Sequence, residues 1–378
     1  MKTVVIIGAG ASGLACASTL SRSNQNIKII LLEQFTRSAK KLLATGNGRC
    51  NLSNKNMTIQ AYNTQDKRIE KILQNFDAIE YFNAIGLLTR YDGDLLYPYS
   101  NQAATVKKVL LDSLRNVEHM EDCKVQNIIK KQSTYIIETN KKDYQADYVV
   151  YATGSKANRL SGEDNLQIME NLGLTINEVY PSLVQLQTKP VFPKLKGVRV
   201  KAKVSLVHKK EVIDTKEGEV LFTDTGVSGI CVMQLSRWYH HYKKPLHIHI
   251  DMLPTYTKQE VEELFIQRKK KFHTSYLEGI FNEKLAEVFN KHQISPKEMI
   301  LEIKDTNDYT KAQVMSGGVS LTEVDENLES LQYPNLFIVG EVLDVDGDCG
   351  GYNLHFAFAS GNQVATVIDS KVRENVTD

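Results

Sequence analysis

This 378-residue chain shows no disulfide framework, no metal cage and no membrane span. Its five cysteines (Cys16, Cys50, Cys123, Cys231 and Cys349) are odd in number, scattered and free of any CxxC pair. That excludes a disulfide scaffold and a dithiol redox centre. His240-His241 and His247-x-His249 lack a Cys or carboxylate partner at zinc spacing, which leaves them solvated or strand-facing roles. The longest apolar run, Val4 to Leu20, contains a glycine turn and is preceded by Lys2 alone, so it does not read as a signal peptide. No other stretch approaches a membrane span. A cytoplasmic protein without metal or membrane is expected. Internal repeats and low-complexity tracts are absent too. Net charge is only +1, which argues against a general nucleic-acid binder. With 42% hydrophobic and 24% charged residues, the composition is globular, and the length exceeds one ordinary core.

The most informative segment is the first. Thr3-Val-Val-Ile-Ile7 is an apolar strand that runs into Gly8-Ala-Gly10-Ala11-Ser12-Gly13. Gly8 suits a tight bend, Gly10 removes a side chain that would block a pyrophosphate, and Gly13 allows close strand–helix packing. The helix that follows aims free N–H groups and a positive dipole end at the phosphates. A second strand, Ile27 to Leu32, ends at Glu33, twenty residues after Gly13. A carboxylate there accepts both ribose hydroxyls and disfavours a 2′-phosphate, so an unphosphorylated ADP moiety is expected.

Along the chain, helices are expected at Lys67–Phe76, Ala78–Ile85 and about Asn101–Leu114, the last with Ser100 as N-cap. Val125–Ile129, Tyr135–Glu138 and the run Asp147 to Gly154 read as strands. Alternating patterns at Val198–Val207, Glu211–Ile213, Val220–Phe222 and Leu246–Ile250 suggest a small antiparallel sheet or barrel. Thr257-Lys-Gln-Glu260 and Ser295-Pro-Lys-Glu298 match capping boxes, with a helix at Leu277–Asn290 between them. The run Arg268-Lys-Lys-Lys271 fits a solvated helix end better than a DNA-reading helix. Asn335–Gly340 is a buried strand, and Leu354–Asp369 is a helix. The expected fold is α/β: a discontinuous Rossmann-type dinucleotide domain (1–186 and 317–378), an inserted β-rich, barrel-like domain (187–253 and 305–316) and a small helical domain (254–304).

Two further strand ends suit an FAD. Ala152-Thr153-Gly154 falls near the first turn, and Gly340-Glu341, with Asp344 and Asp346, offers acids near a ribityl chain and pyrophosphate. Gly350-Gly351-Tyr352-Asn353-Leu354 starts a helix whose N–H groups suit the flavin pyrimidine. No second complete GxGxxG occurs, so a nicotinamide reductant, NADH or NADPH, visits only transiently.

The segments Lys40–Asn54 (KKLLATGNGRCNLSN) and Gly340–Leu354 (GEVLDVDGDCGGYNL) resemble the bacterial BaiN-like flavoprotein family, also called the aminoacetone oxidase family. Leu221–Gly229 and Ser316–Val324 match two further motifs of that family. The chain departs from the pattern at Asp224, where the family often has His, and at Ile230, where it often has Pro. The resemblance implies an FAD lined by Lys41 to Asn51, with Thr45, Gly46, Gly48, Arg49, Cys50 and Asn51 near it. Gln34 and Val125 complete the expected cofactor set. It also implies oxidoreductase activity, either on a small molecule (aminoacetone oxidation or a bile-acid step) or on a uridine of large-subunit ribosomal RNA, reduced to dihydrouridine; the small-molecule reading is an amine oxidase or an enoate reductase. The ribosomal substrate is the first expectation. From Leu186 to Lys210 there are eight Lys or Arg and no acid, and Lys194, Lys196, Arg199, Lys201 and Lys203 form a stripe suited to RNA phosphates. Cys50 and Tyr352 are the candidate proton donors for saturating a C=C. A flavin-carrying RNA-binding factor without turnover is the third reading.

Overall fold

The computed structural model describes residues 1–23, 26–160 and 166–377. Its packing divides the chain into two compact units, Met1–Val179 with Val314–Asp378, and Tyr180–Gln313.

In the first unit five parallel strands form a sheet, in the order Leu336–Ile338, Tyr148–Tyr151, Lys2–Ile7, Ile27–Leu32 and Val117–Met120. Val4, Val5 and Ile6 are wholly buried, as expected of a parallel strand covered on both faces. Helix Ala11–Ser23 leaves the first strand and packs along the C-terminal helix Tyr352–Thr377. All five strands run the same way, so their carboxyl ends gather the Gly8, Glu33, Ala152 and Gly340 turns on one edge. That edge is where open α/β sheets place ligands.

The second unit holds a closed antiparallel barrel of six strands: Leu186–Lys189, Gly226–Ser228, Glu211–Phe222, Arg199–His208, Leu246–Asp251 and Met299–Thr306. Along Leu246–Asp251 the buried Leu246, Ile248 and Ile250 alternate with half-buried His247 and His249, which face away from the core. Glu211–Ile213 and Val220–Phe222 are the two ends of one twelve-residue strand.

Three local expectations are corrected. Helix Ala103–Asp112 starts after Gln102, so Ser100 does not cap it. Ser295 to Glu298 closes a turn, with Glu298 N donating to Ser295 O at 3.1 Å, and no helix follows. Strand Met299–Thr306 begins instead, because Met299, Leu301 and Ile303 alternate into the barrel core. The helix expected from Leu277 starts only at Glu283, where Asn282 accepts from Leu285 N. The Thr257–Glu260 box does form and opens helix Lys258–Phe272, whose basic last turn complements the helix dipole.

Candidate dinucleotide site

The first turn is built by contact. A Cβ on Gly13 would lie 1.9 Å from the Gly8 carbonyl oxygen, and Gly8 N donates to Leu32 O at 2.7 Å. Gly10 differs: a Cβ there meets nothing within 4 Å. The turn therefore packs hard against its own fold and is open where a pyrophosphate would sit. Glu33 lies beside it, buried, with Oε2 accepting from Ala9 N and Oε1 from Phe35 N, both at 3.0 Å. Burial pushes its carboxyl upward, and the two backbone donors pull it back. Each oxygen keeps a lone pair for a ribose hydroxyl.

Ala152 N donates to Ile7 O at 2.8 Å, which sets the Ala152-Thr153-Gly154 tip beside the glycine turn. The Thr153 hydroxyl is buried there without a hydrogen-bond partner. An orphaned polar atom, an open cradle over Gly10 and an acid at the second strand end together fit an ADP moiety.

More distant segments converge on the same edge. Gly340 approaches Ser12 so closely that a Cβ would lie 2.5 Å from its hydroxyl oxygen. Lys41 Nζ donates to Glu341 Oε2 at 2.6 Å and to Ser155 Oγ at 3.1 Å, while Glu341 Oε1 accepts from Met315 N at 3.2 Å. With its amide oriented so that the nitrogen donates to Ser53 O at 2.9 Å, Asn51 accepts from Gly351 N at 3.0 Å. The Lys41–Asn51 segment and the Gly350–Leu354 turn are thus tied together, and the Gly351 N–H is already taken. Gly46 and Gly48 carry the short 3₁₀ turn Thr45–Gly48, and Thr45 Oγ1 donates to Leu42 O at 2.7 Å.

Other expected site residues are engaged elsewhere. Asp344 accepts from Asn63 Nδ2, Gly317 N and Asn177 Nδ2 at 2.7–3.1 Å, a structural knot. Asn353 staples its own loop, accepting from Gly347 N and donating to Gly347 O, both at 2.8 Å. Arg49 donates to Asp92 and to the Tyr97 hydroxyl, over whose ring it lies at 4.3 Å. Gln34 is half-buried beside Glu33, Val125 opens strand Val125–Lys131, and Leu354 sits in the first turn of the C-terminal helix.

The two candidate acids separate clearly. Cys50 is wholly buried, and burial pushes its thiol up to about 12. Tyr352 is half-buried; its hydroxyl donates to Asn56 O at 3.3 Å, and its carbonyl accepts from Tyr62 Oη at 2.7 Å. Burial raises this phenol as well, which holds the proton on Oη.

Three polar residues here escaped the sequence reading: Ser53, Ser155 and His355. His355 is buried, with Nδ1 2.8 Å from Ser53 Oγ and Nε2 3.1 Å from Leu73 O. Burial drives its imidazole down to about 4, so it is neutral. The only sequence signal was a histidine on the buried side of a helix start rich in apolar residues.

The basic stripe is not unopposed. Lys194 pairs with Glu287, Lys196 with Asp224 at 3.0 Å, and Arg199 with Glu219. In the barrel register Lys201 lies opposite Glu219, and Lys203 lies opposite Glu217 and Asp251. The departure at Asp224 is thereby explained: it is the partner of Lys196, which holds its carboxyl below the usual range. Ile230 is the first residue of helix Ile230–Ser236, a position that proline also suits.

Among the described residues no helix is long and apolar enough to cross a membrane, and no three His, Cys, Asp or Glu side chains group as a metal site. The fold and this edge define a flavoprotein of the Rossmann class. The profile described as HI0933-like protein Rossmann domain matches residues 2–367, and the chain belongs to that family of FAD-dependent oxidoreductases. It is 35% identical to the 3-dehydro-bile acid delta(4,6)-reductase of Clostridium scindens, over 96% of this chain and 97% of that one. It is 25% identical to the ribosomal RNA dihydrouridine synthase of Haemophilus influenzae, over 96% and 98%. Its fold is similar to that of a mutant Escherichia coli quinol fumarate reductase FrdA, with a TM-score of 0.52 and 14% identity, covering 99% of this chain and 71% of that one.

Proposed function

We propose that this protein reduces a carbon–carbon double bond conjugated to a carbonyl in a small molecule, with FAD bound on the strand-tip edge and a nicotinamide as reductant. Bound FAD supplies hydride transfer. Glu33 would hold the adenosine ribose, the helix start beyond Gly10 would take the pyrophosphate, and the Thr153 hydroxyl would gain the partner it otherwise lacks. The Asn51–Gly351 tie fixes the separation of the Lys41–Asn51 segment and the Gly350–Leu354 turn. Tyr352 Oη is the better proton donor, because it is partly accessible while Cys50 is sealed. A phenol kept protonated by burial can deliver its proton to the α-carbon of a conjugated system.

Ion pairs on Lys194, Lys196 and Arg199, with acids opposite Lys201 and Lys203 in the barrel register, carry the choice of a small substrate, since they weaken the positive field a polyanion needs. The resemblance to a reductase of bile-acid double bonds supports the same chemistry. Ribosomal uridine is the second reading: its ring also contains a C=C conjugated to a carbonyl, and a relative similar over its whole length bears that name.

The deciding experiment reduces the FAD-loaded protein anaerobically with NADH or NADPH, then adds a steroidal 3-oxo-4,6-diene or a uridine-containing ribosomal hairpin. Flavin reoxidation by the dienone, with a product two mass units heavier, is expected. Reoxidation by the hairpin alone, with dihydrouridine in its digest, transfers the proposal to RNA; reoxidation by neither refutes it.

A further inference from the structure

A cavity of about 450 Å³ lies in the first unit, lined by residues of segments 53–59 and 70–79 together with Tyr91 and His355. Its volume is in the range of roughly 300–1,000 Å³ typical of small-molecule sites. Its accessible apolar lining comes from Met57, Ile79 and Tyr91 over the buried Ile59, Leu73 and Phe76, and the Ser53–His355 pair also lines it. Glu70 and Asp77 line it, and none of its lining residues is Lys or Arg. His355 is neutral and already bonded at both ring nitrogens, so it does not offset the two carboxylates.

We infer that this cavity binds an organic monocation, an amine carried on an aromatic or aliphatic body. The apolar lining takes the body by burial, and Glu70 or Asp77 takes the ammonium through a charge-assisted hydrogen bond. The same two carboxylates disfavour anionic ligands, the phosphates of a nicotinamide dinucleotide among them. The cavity wall backs onto the Asn51–Gly351 tie through Ser53 O, but Gly8, Gly10, Glu33 and Thr153 do not line it, so the inference stands whether or not the ene-reductase reading holds.

Isothermal titration of the FAD-loaded protein with 2-phenylethylamine, and with its neutral analogue 2-phenylethanol, tests the inference. The amine is expected to bind saturably and at least about tenfold more tightly than the alcohol. Glu70→Gln and Asp77→Asn each remove one carboxylate, and Asn keeps the N-cap that Asp77 provides to Glu80 N. At least one of them should weaken the amine by about tenfold and leave the alcohol unchanged. Gln74→Trp, at an exposed lining position, should block both probes. Absence of saturable amine binding, equal affinity for amine and alcohol, or affinity unmoved by all three substitutions overturns the inference.

Discussion

Lys41 and Glu341 stand 300 residues apart in sequence and meet as an ion pair, Nζ to Oε2 at 2.6 Å. The pair joins the loop after the second strand to the turn after the last one, and Ser155 Oγ joins it from a third. Three chain segments are thus locked where the dinucleotide would lie.

Both side chains are less than a third exposed, at 29% and 18%, so the pair lies between a surface salt bridge and a buried one. A double-mutant cycle with Lys41→Met and Glu341→Gln, read by urea unfolding of the apoprotein, should give a coupling of about 1–2 kcal/mol. Strict additivity would show that the pair does not tie these loops.

His355 makes stability depend on acid. Its folded value is about 4 against 6.5 for the free side chain, so between these values the unfolded chain binds the extra proton. Stability therefore rises with pH across that window, by about 3 kcal/mol for this group. Wild type should lose that amount between roughly pH 6.5 and pH 4, and His355→Gln should show a flatter profile by about the same margin. Urea unfolding at both pH values measures it; equal slopes would contradict the assignment.

Thr153→Val should act in opposite directions on the two forms. Its hydroxyl is buried and unpartnered without cofactor, so the apoprotein should be unchanged or about 1 kcal/mol more stable. FAD affinity should fall by about tenfold, because the bound form loses a hydrogen bond. Thermal unfolding of apoprotein and flavin titration together check both signs.

Ile230→Pro restores the proline often found at this place in the family. Gly229 before it has φ 105° and ψ 157°, and the extended ψ is compatible with a following proline. A gain of about 0.5–1 kcal/mol is expected, since proline at the first helical position limits the unfolded chain without breaking a helical bond. A loss above that size would mean that the Ile230 N–H or side chain has a role.

The parts legible in the sequence were those whose partners are close along it. Gly8, Gly10, Gly13 and Glu33 fall within one strand–helix–strand unit, and Thr257 with Glu260 within one helical turn. The parts that were not legible depend on chain returns. Lys194–Lys203 read as a bare positive stripe because Glu217, Glu219 and Asp224 come twenty or so residues later, on the facing strand or its turn. Ser295 matched a helix cap in pattern, but the barrel claimed the next residues as a strand. Asp344 looked free to bind a ligand until Asn63, Asn177 and Gly317 met it. His355 carried no motif at all.

A dinucleotide bound on this edge would cross the open space above Gly10. Gly10→Val fills that space at a position where a Cβ meets no protein atom within 4 Å, so the fold should survive it. Titrating apoprotein with FAD and following flavin fluorescence should show one equivalent bound by wild type and none by Gly10→Val, with melting temperatures of the two apoproteins within a few degrees. A wild-type protein indifferent to FAD, or a Gly10→Val protein that takes it up as well as wild type, would contradict the account.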